Sequence, residues 1–570
     1  MTLSRPLPAG PGTAPGPGPG PDPDAGPPLV SVRGLRIATT GGTPLVHGVD
    51  LDLVAGATVG IVGESGSGKT LTAMAVAGLL PRGVAVTGGR IAVDGRDVTV
   101  RSPAERRALL RDTFGVVFQN PAVSLNPRLT IGRQLREALP DADRRSRARA
   151  WRRSLELLEH VGVPRAAQRL RAYPHELSGG LNQRVVIATA IARDPRVLVA
   201  DEATTALDVS VQQQVLDLLD RLRDELRLGV LLVSHDIGVI ADRAGQVVVM
   251  QDGAVVERGG TGAVLDRPRE GYTRRLLAAV PRLDVPSPAG PPADAPVLLA
   301  GRGLVRDFPV AGRRGTRLRA VDHVDITLRA GQALGVVGES GSGKTTLARI
   351  LVGIDPGHGG TLTAFGGPVT GRVPARRRLL RRVQYVFQDP YAALDPRQTV
   401  AESIAEPIEL AGTRDQRDRV PGRVAELLDD VQLARDLGGR RPHELSGGQR
   451  QRVVIARALA LEPDVLIADE PVSALDLSVQ AGVLDLLARL RAERDLTYLV
   501  ISHDLAVVRG LCTDVLVLHD GVEIEQGPTD DVFTAPAAGY TRRLLDAVPG
   551  RSRQGSPPEL HPAIPRKDNP

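Results

Sequence analysis

Two stretches decide the fold of this chain: Gly63-Glu-Ser-Gly-Ser-Gly-Lys-Thr70 and Gly338-Glu-Ser-Gly-Ser-Gly-Lys-Thr345. Each follows a short apolar run and opens a helical pattern, which is the context that a phosphate-binding loop requires. Glycines let backbone N–H groups surround phosphate oxygens, and the helix N-terminus adds partial positive charge. The lysine reaches the outer phosphates, and the threonine hydroxyl is a ligand for Mg²⁺. The two stretches therefore predict two nucleotide sites.

Every residue of both loops is a candidate nucleotide-binding residue. These are Gly63, Glu64, Ser65, Gly66, Ser67, Gly68, Lys69 and Thr70 in the first loop, and Gly338, Glu339, Ser340, Gly341, Ser342, Gly343, Lys344 and Thr345 in the second. A chance glycine-rich turn is the alternative. The chain has three lysines, and two of them occupy the motif position, which makes chance a poor explanation.

Composition excludes several classes of protein. The chain has 570 residues, of which 42% are apolar and 24% charged, so global disorder is excluded. No apolar run is long enough to span a membrane, and the start lacks the apolar core of a signal peptide. The single cysteine, Cys512, excludes a disulfide framework, a four-cysteine zinc site and a cysteine-ligated iron–sulfur cluster. We expect a soluble intracellular protein.

The chain is a tandem duplication. Leu177-Ser-Gly-Gly180 recurs at Leu445-Ser-Gly-Gly448, an offset of 268 residues, and several other pairs share that offset. We call residues 29–281 the first block and residues 297–549 the second block. Segments 1–28 and 550–570 are predicted to be disordered, and 282–296 is predicted to be an extended Pro-rich linker. In each block, strand patterns alternate with helical patterns, which predicts an α/β fold with a parallel sheet.

Two apolar strand patterns end in acidic pairs, Asp201-Glu202 and Asp469-Glu470. In a nucleotide-binding protein the aspartate can hold the Mg²⁺ shell and the glutamate can polarise the attacking water. The alternative is a pair of solvated carboxylates at a strand end. The neighbouring phosphate loops favour the functional interpretation.

The remaining motifs resemble those of ABC-type ATPases. Leu177-Ser-Gly-Gly180 and Leu445-Ser-Gly-Gly448 resemble the signature motif, Gln119 and Gln388 resemble the Q-loop glutamine, and His235 and His503 resemble the switch histidine. Asp208 and Asp476 stand where the family has its D-loop. The resemblance covers both blocks. It implies two tandem P-loop domains, each with a RecA-like α/β core and a helical signature subdomain.

The resemblance also implies roles. Each ATP would lie between the phosphate loop of one block and the signature of the other. Glu202 and Glu470 would polarise water, His235 and His503 would bridge water and the γ-phosphate, and Gln119 and Gln388 would sense Mg²⁺. The signature residues in contact with nucleotide would be Ser178, Gly179, Gly180, Ser446, Gly447 and Gly448; the Mg²⁺-associated residues would be Thr70, Gln119, Asp201, Thr345, Gln388 and Asp469.

The two blocks differ near these motifs. Family members usually stack an upstream aromatic residue on adenine, and the second block offers Phe308 where the first has Thr39. We therefore expect weaker nucleotide binding at the Lys69 site. The first block has Leu181 where the second has Gln449, and Ala203 where the second has Pro471. These differences fit either neutral drift or a mildly impaired first block. Because both blocks keep the glutamate and the histidine, we expect both sites to hydrolyse ATP.

Other segments look like those of dipeptide, oligopeptide and nickel importers. They are the stretches after Phe118-Gln119 and Phe387-Gln388, together with Gly-Tyr-Thr-Arg-Arg-Leu-Leu at the end of each block. This resemblance implies a peripheral protein at the cytoplasmic face of the cell membrane, with two permease subunits and an extracytoplasmic binding protein as partners. It implies ATP and Mg²⁺ as cofactors. The cargo stays open among peptides, nickel chelates, glutathione and peptide-like siderophores.

An alternative is a soluble tandem ATPase that acts on ribosomes or DNA. Ribosome-acting relatives carry a long charged linker and DNA-repair relatives carry zinc modules or coiled coils, and this sequence offers neither. Its arginine-rich stretches have almost no aromatic residues among them, so solvated helix faces explain them better than nucleic-acid binding. Tandem ATPases of sugar importers, a third possibility, typically degrade one site, whereas both glutamates are present here.

Overall fold

The computed structural model describes residues 27–100, 102–119, 121–204, 207–309, 317–355, 357–369, 373–473 and 475–550. They form two compact units. The first contains the described residues up to Ala203 and Leu218–Leu277, and the second contains Thr204–Asp217 and the described residues from Ala278 onwards. The terminal segments predicted to be disordered lie almost wholly outside the described residues.

The first block contains ten strands and twelve α-helices among its described residues. The strands are β1 (Val30–Thr39), β2 (Pro44–Leu53), β3 (Thr58–Val62), β4 (Val84–Val93), β5 (Arg96–Asp97), β6 (Phe114–Val117), β7 (Val197–Asp201), β8 (Gly229–Val233), β9 (Gln246–Gln251) and β10 (Ala254–Gly260). The helices are α1 (Lys69–Ala77), α2 (Pro103–Thr113), α3 (Pro121–Ser124), α4 (Ile131–Ala138), α5 (Asp141–Arg144), α6 (Arg147–His160), α7 (Ala166–Arg169), α8 (Gly179–Ala190), α9 (Val209–Leu226), α10 (Ile237–Arg243), α11 (Thr261–Leu265) and α12 (Gly271–Ala278). A 3₁₀ turn spans Pro174–Glu176.

The second block repeats this order of elements. Its strands are β11 (Val297–Pro309), β12 (Arg317–Arg329), β13 (Ala333–Val337), β14 (Gly359–Ala364), β15 (Gly367–Pro368), β16 (Val383–Val386), β17 (Val465–Asp469), β18 (Thr497–Ile501), β19 (Asp514–His519) and β20 (Val522–Pro528). Its helices are α13 (Lys344–Leu351), α14 (Val373–Arg382), α15 (Pro390–Ala393), α16 (Val400–Ala411), α17 (Arg414–Asp418), α18 (Val420–Asp430), α19 (Gly447–Leu459), α20 (Leu477–Arg494), α21 (Leu505–Leu511), α22 (Thr529–Thr534) and α23 (Gly539–Asp546). Two 3₁₀ turns span Arg435–Gly439 and Pro442–Glu444.

Each block is built on a six-stranded sheet whose order is β10-β9-β3-β8-β7-β6 in the first block and β20-β19-β13-β18-β17-β16 in the second. Five strands of each sheet are parallel, and the edge strands β10 and β20 run antiparallel to their neighbours. The central strands β3, β7 and β8 are buried at every residue, as expected for parallel strands covered on both faces. The predicted α/β fold is confirmed.

A second sheet was not predicted from the sequence. Strands β2-β1-β4-β5 form an antiparallel four-stranded sheet in the first block, and β12-β11-β14-β15 form its equivalent in the second. β1 contains irregular pairing around Gly34, whose φ of 56° lies in the left-handed region. That irregularity interrupts the alternation of apolar residues on which recognition of the strand from sequence depends.

The segment between β6 and β7 contains helices α3 to α8 and no strand among its described residues, and α15 to α19 occupy the same place in the second block. The signature serine begins the last helix of each set, α8 or α19. This arrangement gives each block the helical subdomain that the resemblance implies.

Residues 282–296 form no helix or strand, but they are anchored to the second unit. Arg509 is buried; its Nε donates to Val285 O at 2.7 Å and its guanidinium pairs with Asp530 at 2.7 Å. Asp530 Oδ1 in turn accepts from Ser287 N at 3.2 Å. The Pro-rich segment is therefore held against the second unit by hydrogen bonds at Val285 and Ser287. Within the described residues, no helix combines the length and apolar character needed to cross a membrane.

Candidate functional site

The phosphate loops connect β3 to α1 and β13 to α13, at the carboxyl ends of central parallel strands. Close packing fixes their first glycines, because a Cβ on Gly63 would lie 2.1 Å from Met250 O and one on Gly338 would lie 2.1 Å from Leu518 O. Gly68 and Gly343 precede the helices with φ of 94° and 99°. A side chain at these positions would displace or strain the backbone that has to surround the phosphates.

The lysine of each loop is buried and held by the loop itself. Lys69 Nζ donates to Gly63 O at 2.8 Å and to Glu64 O at 2.7 Å. Lys344 Nζ makes the same two contacts, with Gly338 O and Glu339 O at the same distances. Burial lowers the pKa of Lys344, which shows the cost of enclosing the cation. An anion beside each ammonium group would offset that cost.

The loop residues fit a polyphosphate. Ser67 Oγ is buried and has no hydrogen-bond partner among the described residues, so a hydroxyl remains to be satisfied beside the lysine. At Gly66, φ is 77° and a Cβ would meet nothing within 4 Å, which leaves room for a ligand against the backbone. Helix α1 starts directly after the loop and directs its N-terminal amides towards it.

Each loop threonine contacts the aspartate that ends a neighbouring strand. Thr70 Oγ1 donates to Asp201 Oδ1 at 3.0 Å, and Thr345 Oγ1 donates to Asp469 Oδ1 at 3.3 Å. Burial raises the pKa of both aspartates, because the surrounding protein does not fully stabilise their negative charge. A hydroxyl beside a buried carboxylate is a donor set that suits Mg²⁺.

The predicted glutamate, glutamine and histidine of each block converge. In the first block, Glu202 Oε2 accepts from Gln119 Nε2 at 2.6 Å and lies 3.3 Å from His235 Nδ1. They meet because β6, β7 and β8 are adjacent and parallel, so the residues that follow them share one edge.

The second block repeats the cluster. Glu470 accepts from Gln388 Nε2 at 2.7 Å, and its other oxygen lies 3.1 Å from His503 Nδ1. Both glutamates have φ of 48°, a left-handed conformation that is uncommon for a non-glycine residue and costs about 1–3 kcal/mol. Such strain concentrates at functional sites, and here it holds the carboxylate just beyond the strand.

Electrostatics couple the glutamate to the histidine. The hydrogen bond to Glu202 raises the pKa of His235 against an opposing effect of burial. Burial opposes the charged form of His503 most strongly, but the hydrogen bond and charge of Glu470 outweigh it, so its pKa is also raised. Burial likewise works against ionised Glu470, yet the contact with His503 and the charge of Lys344 lower its pKa. Glu470 is therefore held ionised, as a group that polarises water must be.

The signature residues have a separate structural role. Ser178 is the N-cap of α8, and its Oγ accepts from Leu181 N at 3.4 Å. Ser446 caps α19 in the same way, and there Gln449 Oε1 also accepts from Ser446 N at 3.0 Å, completing a capping box. Gly179, Gly180, Gly447 and Gly448 form the first turns of these helices. The serine and glycines thus lie at helix N-termini, which can receive an anion.

Phe308 lies near the end of β11, half-buried, with the guanidinium of Arg306 4.6 Å from the centre of its ring. Thr39 ends β1 at the corresponding place, and its hydroxyl accepts from Thr43 N at 3.1 Å. The first block therefore has a turn-stabilising hydroxyl where the second has an aromatic face.

Sequence reasoning missed Tyr385. Its hydroxyl donates to Asp469 Oδ2 at 2.6 Å, so the aspartate receives hydrogen bonds at both oxygens. The corresponding residue of β6 is Val116. A tyrosine in a short apolar strand resembles ordinary core, and the register of β16 on β17 is what reveals its role.

Comparison with known families decides the identity. The family model described as "ABC transporter" matches residues 46–205 and again 321–473, the regions that contain the loops, glutamines, signatures and acidic pairs described above. The chain belongs to the ABC transporter family. It is an ATPase subunit that couples ATP hydrolysis to transport, and the predicted resemblance is confirmed. A second model, "Oligopeptide/dipeptide transporter, C-terminal region", matches residues 256–297 and 524–566.

Relatives within the family align along most of the chain. The peptidoglycan transport ATP-binding protein YejF of Agrobacterium fabrum is 44% identical over 91% of this chain and 96% of its own length. The oligopeptide transport ATP-binding protein OppD of Mycobacterium tuberculosis is 40% identical over 92% and 98%. The glutathione import ATP-binding protein GsiA of Escherichia coli K12 is 41% identical over 88% and 86%. All three are named as ATP-binding proteins of transport systems.

Among solved structures, the complex of archaeal ribosomal stalk protein aP1 and ribosome recycling factor aABCE1 aligns with a TM-score of 0.57. The alignment covers 85% of this chain and 88% of that one, at 22% identity. At this identity the likeness shows the shared ABC ATPase fold alone.

Proposed function

We propose that this ABC ATPase energises the import of di- or oligopeptides or related small molecules, with two MgATP sites, one built on the phosphate loop of each block. The observation that carries the proposal is the duplication of the whole hydrolytic cluster, Gln–Glu–His beside a buried lysine, in a chain whose two blocks both match the oligopeptide/dipeptide transporter region. The names of the relatives, which refer to peptidoglycan, oligopeptide and glutathione, support a peptide-like cargo.

Within each site the residues would divide the work. The loop amides and Lys69 or Lys344 bind the phosphates, and Glu202 or Glu470 orients and polarises water. Thr70, Asp201 and Gln119 would hold Mg²⁺ in the first site; Thr345, Asp469 and Gln388 would hold it in the second. When bound, the ion neutralises charge on the phosphate oxygens.

His235 and His503 would hold a proton between the glutamate and the γ-phosphate, a role supported by their raised pKa values. The signature residues, serine and two glycines in each block, would add donors to nucleotide, as the resemblance implies. Phe308 would stack on adenine. The domain limits 29–281 and 297–549 are proposed with these roles, since each span contains one full set of motifs.

Family membership implies membrane permease partners, and we propose two permease subunits together with an extracytoplasmic binding protein. Each unit supports a docking face of its own beside its Q-loop glutamine, because Phe118 and Val123 are exposed in the first unit and Phe387 and Tyr391 in the second. Next to Tyr391 is a cleft of about 600 Å³, lined by residues 392–398, Glu406 and Arg457. Exposed aromatic side chains at the rim of a cleft suit a protein partner. Binding to permeases would place the chain at the cytoplasmic face of the membrane.

The experiment is affinity purification of the tagged chain from its native membranes, followed by mass spectrometry of the proteins that accompany it. Two multi-spanning permeases and a binding protein with a peptide-like ligand are the expected result. The variant Tyr391→Asp places a charge on the proposed docking face of the second unit. It should release the permeases while leaving ATP binding intact. Ribosomal proteins or nucleic acid in place of permeases would contradict the transport proposal and favour the alternative of a ribosome- or DNA-acting ATPase.

A further inference from the structure

The repeated motif Gly-Tyr-Thr-Arg-Arg-Leu-Leu has no role in the site described so far. It forms helix α12 in the first block and α23 in the second, within the matched oligopeptide/dipeptide transporter region. Its tyrosines, Tyr272 and Tyr540, are buried, with 7% and 8% of their surface exposed. Each packs in its own unit, Tyr272 in the first and Tyr540 in the second.

Both tyrosine hydroxyls contact a phosphate loop. Tyr272 Oη accepts a hydrogen bond from Glu64 N at 3.2 Å, and Tyr540 Oη accepts one from Glu339 N at 3.2 Å. The contact is therefore formed twice, at the same distance, by residues about 200 positions apart in the chain. Because two loops of differing surroundings share it, it is a property of the motif rather than of one local packing.

The contacted residue is the one that tethers the lysine. The backbone carbonyl oxygen of Glu64 accepts a hydrogen bond from Lys69 Nζ at 2.7 Å, and that of Glu339 accepts one from Lys344 Nζ at the same distance. Each glutamate backbone is thus held at its N–H by a tyrosine from the C-terminal helix and at its carbonyl by the phosphate-binding lysine. Two hydrogen bonds connect the C-terminal region to the cation that meets the nucleotide.

In the second block the tyrosine also contacts a histidine ring. The ring of His519 lies 4.1 Å from the ring of Tyr540, centre to centre, and the corresponding residue of the first block is Gln251. Burial raises the pKa of Tyr540 to about 12, so the hydroxyl stays protonated and keeps its neutral form against the loop.

We propose that Tyr272 and Tyr540 are positioning residues for the phosphate loops, through which helices α12 and α23 set the affinity of each site for nucleotide. The proposal rests on the MgATP sites proposed above. It assigns to the C-terminal motif a direct part in nucleotide binding.

The variants Tyr272→Phe and Tyr540→Phe keep the ring and remove the acceptor. Loss of one hydrogen bond to a loop amide should weaken nucleotide binding about threefold to tenfold. The loop should also open more often, so its amides should exchange with solvent at least about threefold faster in the nucleotide-free protein.

Each tyrosine is tested with the other site disabled. Tyr540→Phe is made in the Lys69→Ala chain and Tyr272→Phe in the Lys344→Ala chain, and each is titrated with mant-ATP in the presence of Mg²⁺. Hydrogen exchange of the loop peptides is measured without nucleotide. The matched control is Tyr498→Phe, which removes a buried hydroxyl of the second unit that donates to Leu487 O at 2.9 Å, away from the loop.

Weaker mant-ATP binding and faster loop exchange in both tyrosine variants, with neither change in Tyr498→Phe, is the expected result. Unchanged loop exchange in Tyr272→Phe and Tyr540→Phe would overturn the proposal, as would equal effects in Tyr498→Phe. Absence of mant-ATP binding in the Lys69→Ala or Lys344→Ala chain itself would instead contradict the proposed function, and the exchange measurement would still decide the role of the tyrosines.

Discussion

The two phosphate sites share their inner contacts and differ in what surrounds them. In both blocks a buried lysine donates hydrogen bonds to two loop carbonyls, and a threonine donates one to an aspartate. A glutamate accepts a hydrogen bond from a glutamine and lies beside a histidine. Around this common set the second block adds polar and aromatic groups that the first replaces with apolar or small ones. The contacts proposed to serve the reaction are repeated, whereas the residues around them differ between the blocks.

Three of the differences concern the aspartate, the adenine position and the signature helix. Tyr385 donates to Asp469, where the first block has Val116. Phe308 stands at the strand position that Thr39 occupies in the first block. Gln449 completes a capping box on the signature serine, where Leu181 cannot. The first two favour the phosphate site of the second block, so we expect that site to bind nucleotide more firmly. The capping box belongs to a signature that, by the family resemblance, would meet the nucleotide on the other block's loop. Both sites keep the groups proposed for hydrolysis.

The largest expected effect tests whether both sites hydrolyse ATP. The double variant Glu202→Gln/Glu470→Gln should lower kcat about 100-fold or more, because an amide polarises water poorly. Each single variant should lower kcat to about half or less. The measurement is phosphate release at saturating ATP, with mant-ATP binding as the control for an intact site. A single variant with wild-type turnover would show that its block is not hydrolytic.

The next effect concerns adenine stacking. Phe308→Ala, in the Lys69→Ala chain, should weaken mant-ATP binding about tenfold, because one base–aromatic stack contributes about 1–3 kcal/mol. Thr39→Phe in the Lys344→Ala chain should strengthen binding at the first site. Equal affinity of the two unmodified sites would contradict this part of the comparison.

A smaller effect is expected at Asp469. Tyr385→Phe removes a donor from Asp469 and should raise the Mg²⁺ concentration needed for half-maximal mant-ATP binding at the second site by about threefold to tenfold. The titration is made in the Lys69→Ala chain, with Tyr498→Phe as the control. If the Mg²⁺ requirement does not move, the hydroxyl supports the fold rather than the ion site.

The smallest effect is at the signature helices. Gln449→Leu copies the first block into the second and should destabilise the start of α19 by about 0.5–1 kcal/mol. Leu181→Gln should stabilise the start of α8 by a similar amount. Native-state hydrogen exchange of the first-turn amides measures both. The two variants should change the stability of their helix starts in opposite directions. A change in the same direction would argue against a capping difference.

Much of the inner site could be predicted from the sequence. Gln119, Glu202 and His235 follow three strands that are neighbours in the sheet, so their motifs and the geometry of parallel strands together place them at one edge. The phosphate loops carry their own local pattern of glycines. For these residues, local sequence and chain topology agree.

The supporting contacts could not be predicted, for reasons that are physical. The hydrogen bond from Glu64 to Tyr272 joins residues 208 positions apart, and a tyrosine in an amphipathic helix has the pattern of core packing. Tyr385 becomes informative when the pairing of Tyr385 with Ile467 is known, which places its hydroxyl near Asp469. Both contacts depend on tertiary register, which no local pattern contains.

The most direct test of the account is the number of ATP molecules that one chain binds. Equilibrium dialysis with MgATP under non-hydrolysing conditions, using the double Glu202→Gln/Glu470→Gln chain, should give two per chain. Adding Lys69→Ala or Lys344→Ala should each reduce the number to one, and the Lys69→Ala chain should show the tighter remaining site. A stoichiometry of one in the chain with both lysines, or tighter binding at the first site, would contradict the account.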